Sequence, residues 1–305
     1  MNARRFDAIF RTEHTEVHWY HFECDADALT ERLRLEGAFW PYGEKEHETY
    51  PSRARFAAFR EFYTVRWLVA TPGAGATMRF WPCDLWVTPT ALVTYTPQPS
   101  DVLFEIRSKL ASSALQEPLM TNLVFQVLDE LTARVFDPLD RLNDEVSRVE
   151  VEVFHGSRDA DLKGQLFHFK REGYKVRRLA AQLRNVTSQM ARHWTTHARE
   201  NAPYALELYD HVVRLFDTAN ASSELINSVT DLYLNTVSNR LNEIVKTLTL
   251  VTTVLLPASL VAALYGMNFD YLPLAHYRWG FFVVLAVIGV VSGGLYWIFR
   301  RRRWL

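Results

Sequence analysis

The 305 residues carry a formal net charge of −1 at pH 7, a length that allows two domains and a charge balance that argues against a nucleic-acid partner. Cys24 and Cys83 are the only cysteines and form no CxxC pair, so a disulfide framework is not expected and reduced thiols are. The average composition hides an asymmetry, because residues 1–246 are densely charged while the segment after them contains two long uncharged runs.

The start, MNARRFDAIFRTEHTE, has charges but no apolar h-region of a secretory signal, which predicts that the bulk of the chain stays in the cytosol. Residues 1–111 read as a mixed α/β domain. Runs rich in β-branched and aromatic residues predict strands at Glu16–Phe22, Arg60–Val69, Asp84–Val87 and Ala91–Tyr95, with a helix over Ala26–Leu35. TPGAGAT at 71–77 predicts a turn and lacks the Lys-Ser or Lys-Thr of a phosphate-binding loop.

Over 112–245 helix dominates. VLDELTARVFDPLDRLNDEVSRVEVEVF repeats apolar residues at three and four spacing. Its carboxylates, Asp129, Glu130, Asp137, Asp140, Asp144, Glu145, Glu150 and Glu152, fit either a solvated face or a cation-attracting skirt. A second long helix is predicted over Asp159–His197. A third begins near Pro203 and meets no breaker before Tyr265, which makes it about 90 Å long at 1.5 Å per residue.

Residues 246–305 read as a transmembrane hairpin with spans at about 246–266 and 279–299 and an outer loop at 267–278. The runs TLTLVTTVLLPASLVAALYGMNF and WGFFVVLAVIGVVSGGLYWIF are long enough to cross a hydrocarbon core of about 20 helical residues. Trp279, Tyr296 and Trp297 stand at the ends of the second run, as interface aromatics do, and Pro257 is tolerable inside a lipid-embedded helix. Arg300, Arg301, Arg302 and Arg303 follow it and can anchor to lipid phosphates; Arg240 and Lys246 precede the first run. The positive-inside rule therefore places both termini in the cytoplasm of a multi-pass inner-membrane protein.

Candidate chemistry elsewhere is sparse. His14, His18, His21 and Cys24 suggest a metal site, but His18 and His21 face opposite sides of a strand and four-ligand spacing is absent. His193 and His197 share a helix face without a third ligand. No hydrolase elbow, Walker motif or dinucleotide fingerprint occurs, so neither an enzyme nor an organic cofactor is expected. The informative pattern lies on the long third helix. Asp231, Asn242, Val245, Thr249, Thr252, Leu256, Ser259, Ala263 and Gly266 recur on one face, the smaller and more polar one. Such a face serves either helix packing in lipid or the lining of a pore.

Tyr265-Gly266-Met267-Asn268 ends the first span and opens the short loop. In this context, after DLYLNTVSNRLNEIVKTLTL and before a second span closed by arginines and Trp304-Leu305, the segment resembles the CorA family of divalent-cation transporters, marked by a Gly-Met-Asn triplet there. The likeness is close from about Tyr204 onward, looser over 115–203 and faint over 1–110. It implies an α+β homopentameric funnel: a cytosolic αβα domain, long stalk helices and a two-helix hairpin. Gly266, Met267 and Asn268 would form the outer selectivity filter and the polar stripe the pore lining. Mg²⁺ would be the transported ion, with Co²⁺ or Ni²⁺ as further candidates. A ring of neutral amide oxygens suits it, because Mg²⁺ sheds water reluctantly and a neutral ring lets it leave. Gly266 would permit a tight turn and Met267 would pack in the loop. Mg²⁺ is also a candidate regulatory ion. Glu207 matches the family's acidic stalk position between neighbouring subunits, but the facing loop, TPGAGATMRF, has no carboxylate, and weak or absent sensing there is expected. Leu272-Pro273-Leu274-Ala275 also departs from a frequent Met-Pro-Glu-Leu, leaving Asp270 as the loop's only carboxylate. The alternatives are a ZntB-like zinc transporter of the same superfamily and a non-conducting membrane-anchored sensor or scaffold.

Overall fold

A computed structural model describes residues 4–12, 15–23, 53–60, 62–97, 101–112, 115–155, 161–197, 199–267 and 277–302. The predicted helix at Ala26–Leu35, together with His14 and Cys24, lies outside them. The chain divides into two compact units, Met1–Asp231 and Leu232–Leu305.

The first unit is built on a six-stranded mixed sheet. Its strands are β1 (Arg4–Arg11), β2 (Glu16–Glu23), β3 (Arg55–Ala58), β4 (Tyr63–Pro72), β5 (Met78–Val87) and β6 (Ala91–Thr96), in the order β1-β2-β6-β5-β4-β3. Only the β2–β6 pair is parallel. Three of these strands go beyond the sequence reading: β1, β3 and the first half of β5. In β1, Phe6 and Phe10 are buried while Arg5, Asp7, Ile9 and Arg11 are exposed, a period of two spread over a charged segment. β1 and β3 are the sheet's edges, where charged side chains guard unpaired backbone. β5 begins six residues before the predicted Asp84, and Pro82 lies within it opposite Leu68 of β4. Pairing with β6 starts only at Asp84, so the missing N–H of Pro82 removes no ladder bond on that side. The β4–β5 turn falls where TPGAGAT predicts it. Gly75 sits there at φ +60°, a left-handed conformation that favours glycine.

Across the sheet, Arg66 grips Asp84 with two hydrogen bonds, Nε to Oδ1 at 2.6 Å and Nη2 to Oδ2 at 2.9 Å, at paired positions of β4 and β5. His21 is fully buried, with Nδ1 3.0 Å from Thr94 Oγ1 and Nε2 3.5 Å from Glu23 Oε1. It is a core histidine in a polar cluster, and among the described residues no group of three His, Cys, Asp or Glu could hold a metal. Cys83 is a free, buried thiol, and burial, reinforced by Asp84, pushes its pKa up. Burial also raises the Tyr63 phenol. Unfolding at alkaline pH frees a thiol that then ionises, so the unfolded state binds fewer protons than the folded one there. Stability is therefore expected to be full below about pH 8.5, the ordinary thiol pKa, and to fall as pH rises past it. Native Cys83 should resist alkylation that goes to completion in denaturant; equal rates in both conditions would contradict its burial.

Helices α1 (Val102–Ala111), α2 (Leu119–Ala133), α3 (Phe136–Phe154) and α4 (Leu162–His197) follow, then a 3₁₀ turn (Arg199–Asn201), α5 (Ala202–Tyr265) and α6 (Gly280–Arg301). α2 is the central helix, with ten buried positions including Leu123, Val124, Val127, Leu128 and Leu131, and it touches β2, β4 and β6. The periodic segment at 127–154 is two helices, parted at Arg134–Val135. Pro138 lies in the first turn of α3, where its missing N–H is not needed; in a continuous helix it would face the Arg134 carbonyl. α4 buries Glu172 completely. That carboxylate accepts the Met78 N–H at 3.1 Å and pairs with Lys175 at 2.7 Å, which ties the end of the β4–β5 turn to α4. Gly173 lets α4 approach α5 closely, since a Cβ there would stand 2.8 Å from Ile226 Cδ1.

In the second unit, the membrane part of α5 and α6 form a hairpin. Both helices are long and apolar enough to cross a bilayer, and their most apolar windows are 6 % and 0 % buried within the chain. A soluble core helix would be covered, so this exposure fits lipid as the solvent. Ser292 of α6 donates to the Val254 carbonyl of α5 at 3.3 Å.

Candidate pore and cation sites

α5 places most of the sequence-predicted site residues on one continuous helix of 64 residues. Within the membrane stretch, Leu250 is buried and Val254, Pro257, Ala258 and Val261 are half-buried, at the three and four spacing of a single face. α6 answers with half-buried Val284, Ile288, Ser292 and Leu295. At about 100° per residue, Thr249, Thr252, Leu256, Ser259 and Ala263 centre roughly 160° away from that packed face. All five are exposed, as are Asp231, Asn242 and Val245 below them. α6 therefore leaves the polar stripe uncovered. Val251, Leu255 and Leu260 beside it are exposed too, and they form its apolar flanks.

The hydroxyls of the stripe have a fixed polarity. Thr249 Oγ1 donates to the Val245 carbonyl at 2.8 Å, Thr252 to Leu248 at 2.9 Å and Ser259 to Leu255 at 2.6 Å. Each hydrogen is turned into its own helix, so the oxygen lone pairs remain for a water or a cation. Asp231 adds a carboxylate and Asn242 an amide at the polar end of the same face.

At the other end, Gly266 donates to the carbonyls of Ala262 (3.0 Å) and Ala263 (3.2 Å), and Met267 to Leu264 at 3.4 Å, closing the helix. Gly266 does not take a left-handed conformation, and a Cβ would meet only ordinary contacts of 3.4 and 3.5 Å. The loop that Gly266 opens begins at Asn268. Met267 is 47 % exposed. Asn268 and the loop to residue 276 lie outside the described residues. At the far end of α6, Arg300, Arg301 and Arg302 close the helix, and Arg301 stands over Trp297 at 5.3 Å; Arg303 is also outside.

In the first unit, Glu207 is exposed on α5 and lines a cleft of about 550 Å³ with Glu117, Glu200, Gln116 and Tyr204. Glu117 is engaged there, accepting the Thr12 hydroxyl and the Leu119 N–H (2.9 Å). Glu200 is a sequence neighbour of Glu207, about two turns away, whereas Glu117 comes from a distant segment and only the fold gathers it there. The loop Ala74–Ala76 lines a separate cleft with Glu145, Asp161 and His168. Three of the acidic residues at 129–152 are committed to partners: Asp129 is hydrogen-bonded to His211, and Glu130 and Glu145 form ion pairs with Lys109 and Arg148. Asp137, Asp140, Asp144 and Glu152 remain on the solvated face. His193 packs against the rings of Phe56 and Tyr63, each at 5.5 Å; the side chain of His197 is outside the described set.

Comparison with known proteins covers both units. The CorA-like Mg2+ transporter protein family matches residues 15–301. The cobalt/magnesium transport protein CorA of Thermotoga maritima is 29% identical over 230 residues, 73% of this chain. The match spans 64% of that protein's length. Among solved structures, the complete CorA magnesium transporter from Methanocaldococcus jannaschii superposes with a TM-score of 0.81 at 20% identity, over 97% of this chain and 94% of that one. The ZntB cytoplasmic domain from Vibrio parahaemolyticus superposes with a TM-score of 0.58 at 15% identity, over 73% and 88%. The sheet-and-helix unit, the continuous stalk helix and the apolar hairpin thus occur together here as they do in a complete transporter of known structure, and the chain belongs to the CorA-like Mg2+ transporter protein family.

Proposed function

We propose that this chain is a passive divalent-cation channel of the inner membrane, with both termini cytoplasmic, which carries Mg²⁺ through a homopentameric pore. Co²⁺ and Ni²⁺ are further cargo. The observation that carries the reading is the stripe on α5. Thr249, Thr252 and Ser259 turn lone pairs outward on the face that α6 leaves bare, continuous with Asn242 and Asp231. Oxygen donors without Cys or His suit a hard cation and disfavour a soft one. Gly266, Met267 and Asn268 form the outer filter, where amide oxygens bind the hydrated ion without stripping its shell. No energy source beyond the membrane potential is needed, since a divalent ion crossing 100 mV gains about 4.6 kcal/mol. The three functional regions are 1–111, the stalk at 112–245 and the hairpin at 246–305. Catalysis has no part in this reading.

Flux into liposomes with Mg²⁺, Co²⁺, Ni²⁺ and Zn²⁺ offered separately tests it. Mg²⁺ entry is the expected result. Zn²⁺ entry alone would assign the chain to zinc transport, and no flux of any ion would leave a sensor or scaffold.

Regulation at Glu207 is proposed to be weak. Among the described residues no three acidic, His or Cys groups could hold a metal within one chain, so a regulatory ion there needs ligands from a neighbouring copy. The β4–β5 turn and its flanking strand ends, 71–80, offer it no carboxylate. Titrating Mg²⁺ during limited proteolysis should therefore protect Glu207→Ala and the parent chain alike, to within about twofold. Strong millimolar protection that Glu207→Ala removes would show that the site senses Mg²⁺ after all.

A further inference from the structure

Helices α3 and α4 are charged in opposite senses. α4 carries eight Lys and Arg side chains and one carboxylate, the buried Glu172. α3 carries six carboxylates and two arginines. Each helix bares a stripe spaced by four, three, four and three residues. On α3 it is Asp140, Asp144, Ser147, Val151 and Phe154; on α4 it is Lys163, Phe167, Lys170, Tyr174 and Arg177. All ten side chains are exposed. At about 100° and 1.5 Å per residue, each stripe keeps within an arc of roughly 80° and runs about 21 Å, the spacing by which one helix packs along another. Phe154 is 77% and Phe167 73% exposed, so the stripes do not cover each other within one chain. Asp140, Asp144, Lys163, Lys170 and Arg177 are in no ion pair among the described residues. Beside the α3 stripe, Asn143 Oδ1 accepts from Ser222 of α5 at 2.5 Å, and beside the α4 stripe Gly173 lies against Ile226 of α5. The two stripes therefore flank α5.

We propose that the cationic stripe of α4 docks on the acidic stripe of α3 in a second copy of the chain. Charge complementarity selects that occupant. Pairing the α4 stripe with itself would set Lys163 against Arg177 and Lys170 against Lys170, and like charges at a helix seam repel. The contact is thus heterologous, two different surfaces meeting, which is the kind that closes into cyclic assemblies. The stripes match best when antiparallel. Arg177 then faces Asp140, the Tyr174 hydroxyl donates to Asp144, Phe167 packs on Val151, and Lys163 stands over the Phe154 ring. A parallel match would instead press Phe167 on Asp144. The short connection between the packed helices makes α3 and α4 antiparallel in one chain, so copies related by an axis along the helices present α4 antiparallel to the next α3. The proposal rests on the chain assembling with itself, as the proposed pentamer requires, and not on ion conduction.

The test uses the full chain in membranes, with Cys24→Ser so that the buried Cys83 is the one remaining native thiol. Two differently tagged chains, one with Val151→Cys and one with Phe167→Cys, are co-expressed and oxidised with copper phenanthroline. The expected result is a disulfide between the two tags, and none when either variant is expressed alone. Glu152→Cys, on the other edge of the exposed side of α3, should not link to Phe167→Cys. Arg177→Asp in the Phe167→Cys chain should slow linking about fivefold, and Asp140→Arg in the Val151→Cys chain should restore it. These are exposed positions, and mass photometry in detergent reports whether assembly survives each change. Linking of Phe167→Cys chains to one another overturns the proposal in favour of a symmetric α4 contact. Linking of Glu152→Cys as readily as Val151→Cys, or a charge swap that restores nothing, overturns the pairing of the stripes. Absence of links in an intact assembly overturns the proposal while sparing the pentamer, whereas a monomer in every preparation overturns both.

Discussion

Asn268→Ala is expected to reduce Mg²⁺ flux by roughly a thousandfold or more, with assembly unchanged. A filter that binds a hydrated ion works through hydrogen bonds from amide oxygens to its water shell. Each such bond contributes about 1 kcal/mol net. In a pentamer the substitution removes roughly five at once, about 5 kcal/mol, which is more than a factor of 10³ in rate. The residue sits one position beyond Met267, past the last helical turn, where α5 closes on the carbonyls of Ala262 to Leu264. Asn268→Gln keeps the amide but displaces it, and should retain part of the flux. The measurement is stopped-flow uptake into liposomes at matched protein density, with cross-linking to count subunits. Unchanged flux in Asn268→Ala would falsify the filter assignment.

The second large effect separates the two sides of the hairpin. A carboxylate at the centre of a lipid-facing helix costs about 3 kcal/mol. Val290 is 75% exposed on α6, away from the face packed on α5. Val290→Asp should therefore lower the yield of inserted protein by roughly 100-fold. Ser259 is equally uncovered in one chain, yet it lies opposite the α6 contact face, among residues with outward lone pairs. If that face lines a water-filled pore, Ser259→Asp meets water and cations, and insertion should stay near the parent level. Equal loss for both variants would mean that the α5 stripe faces lipid and no pore forms there.

The physical difference between what was readable and what was not is one of range. A helix in lipid must satisfy its backbone internally, so its span, its polar stripe and its flanking arginines are local properties written in consecutive residues. The sequence alone determined the two apolar spans, the unbroken helix that ends at Tyr265 and the face carrying Thr249 and Ser259, and the Tyr265–Asn268 segment carried the resemblance to the family. The β4–β5 turn was equally local, because Gly75 needs its left-handed backbone wherever the turn packs. Tertiary structure decided the rest. β1 became a strand because Phe6 and Phe10 find β2 beside them, and its arginines hid that pattern. β5 reaches back past Pro82 only because β6 has not yet joined it there. Which face of α5 is bare depends on which residues α6 covers, and the burial of Leu250, Val254, Pro257 and Val261 together with the Ser292–Val254 hydrogen bond fixes that. Glu207 gained Glu117 as a neighbour, and His21 became a core histidine bonded to Thr94, since each depends on a residue brought in from a distant part of the chain, which no periodicity encodes.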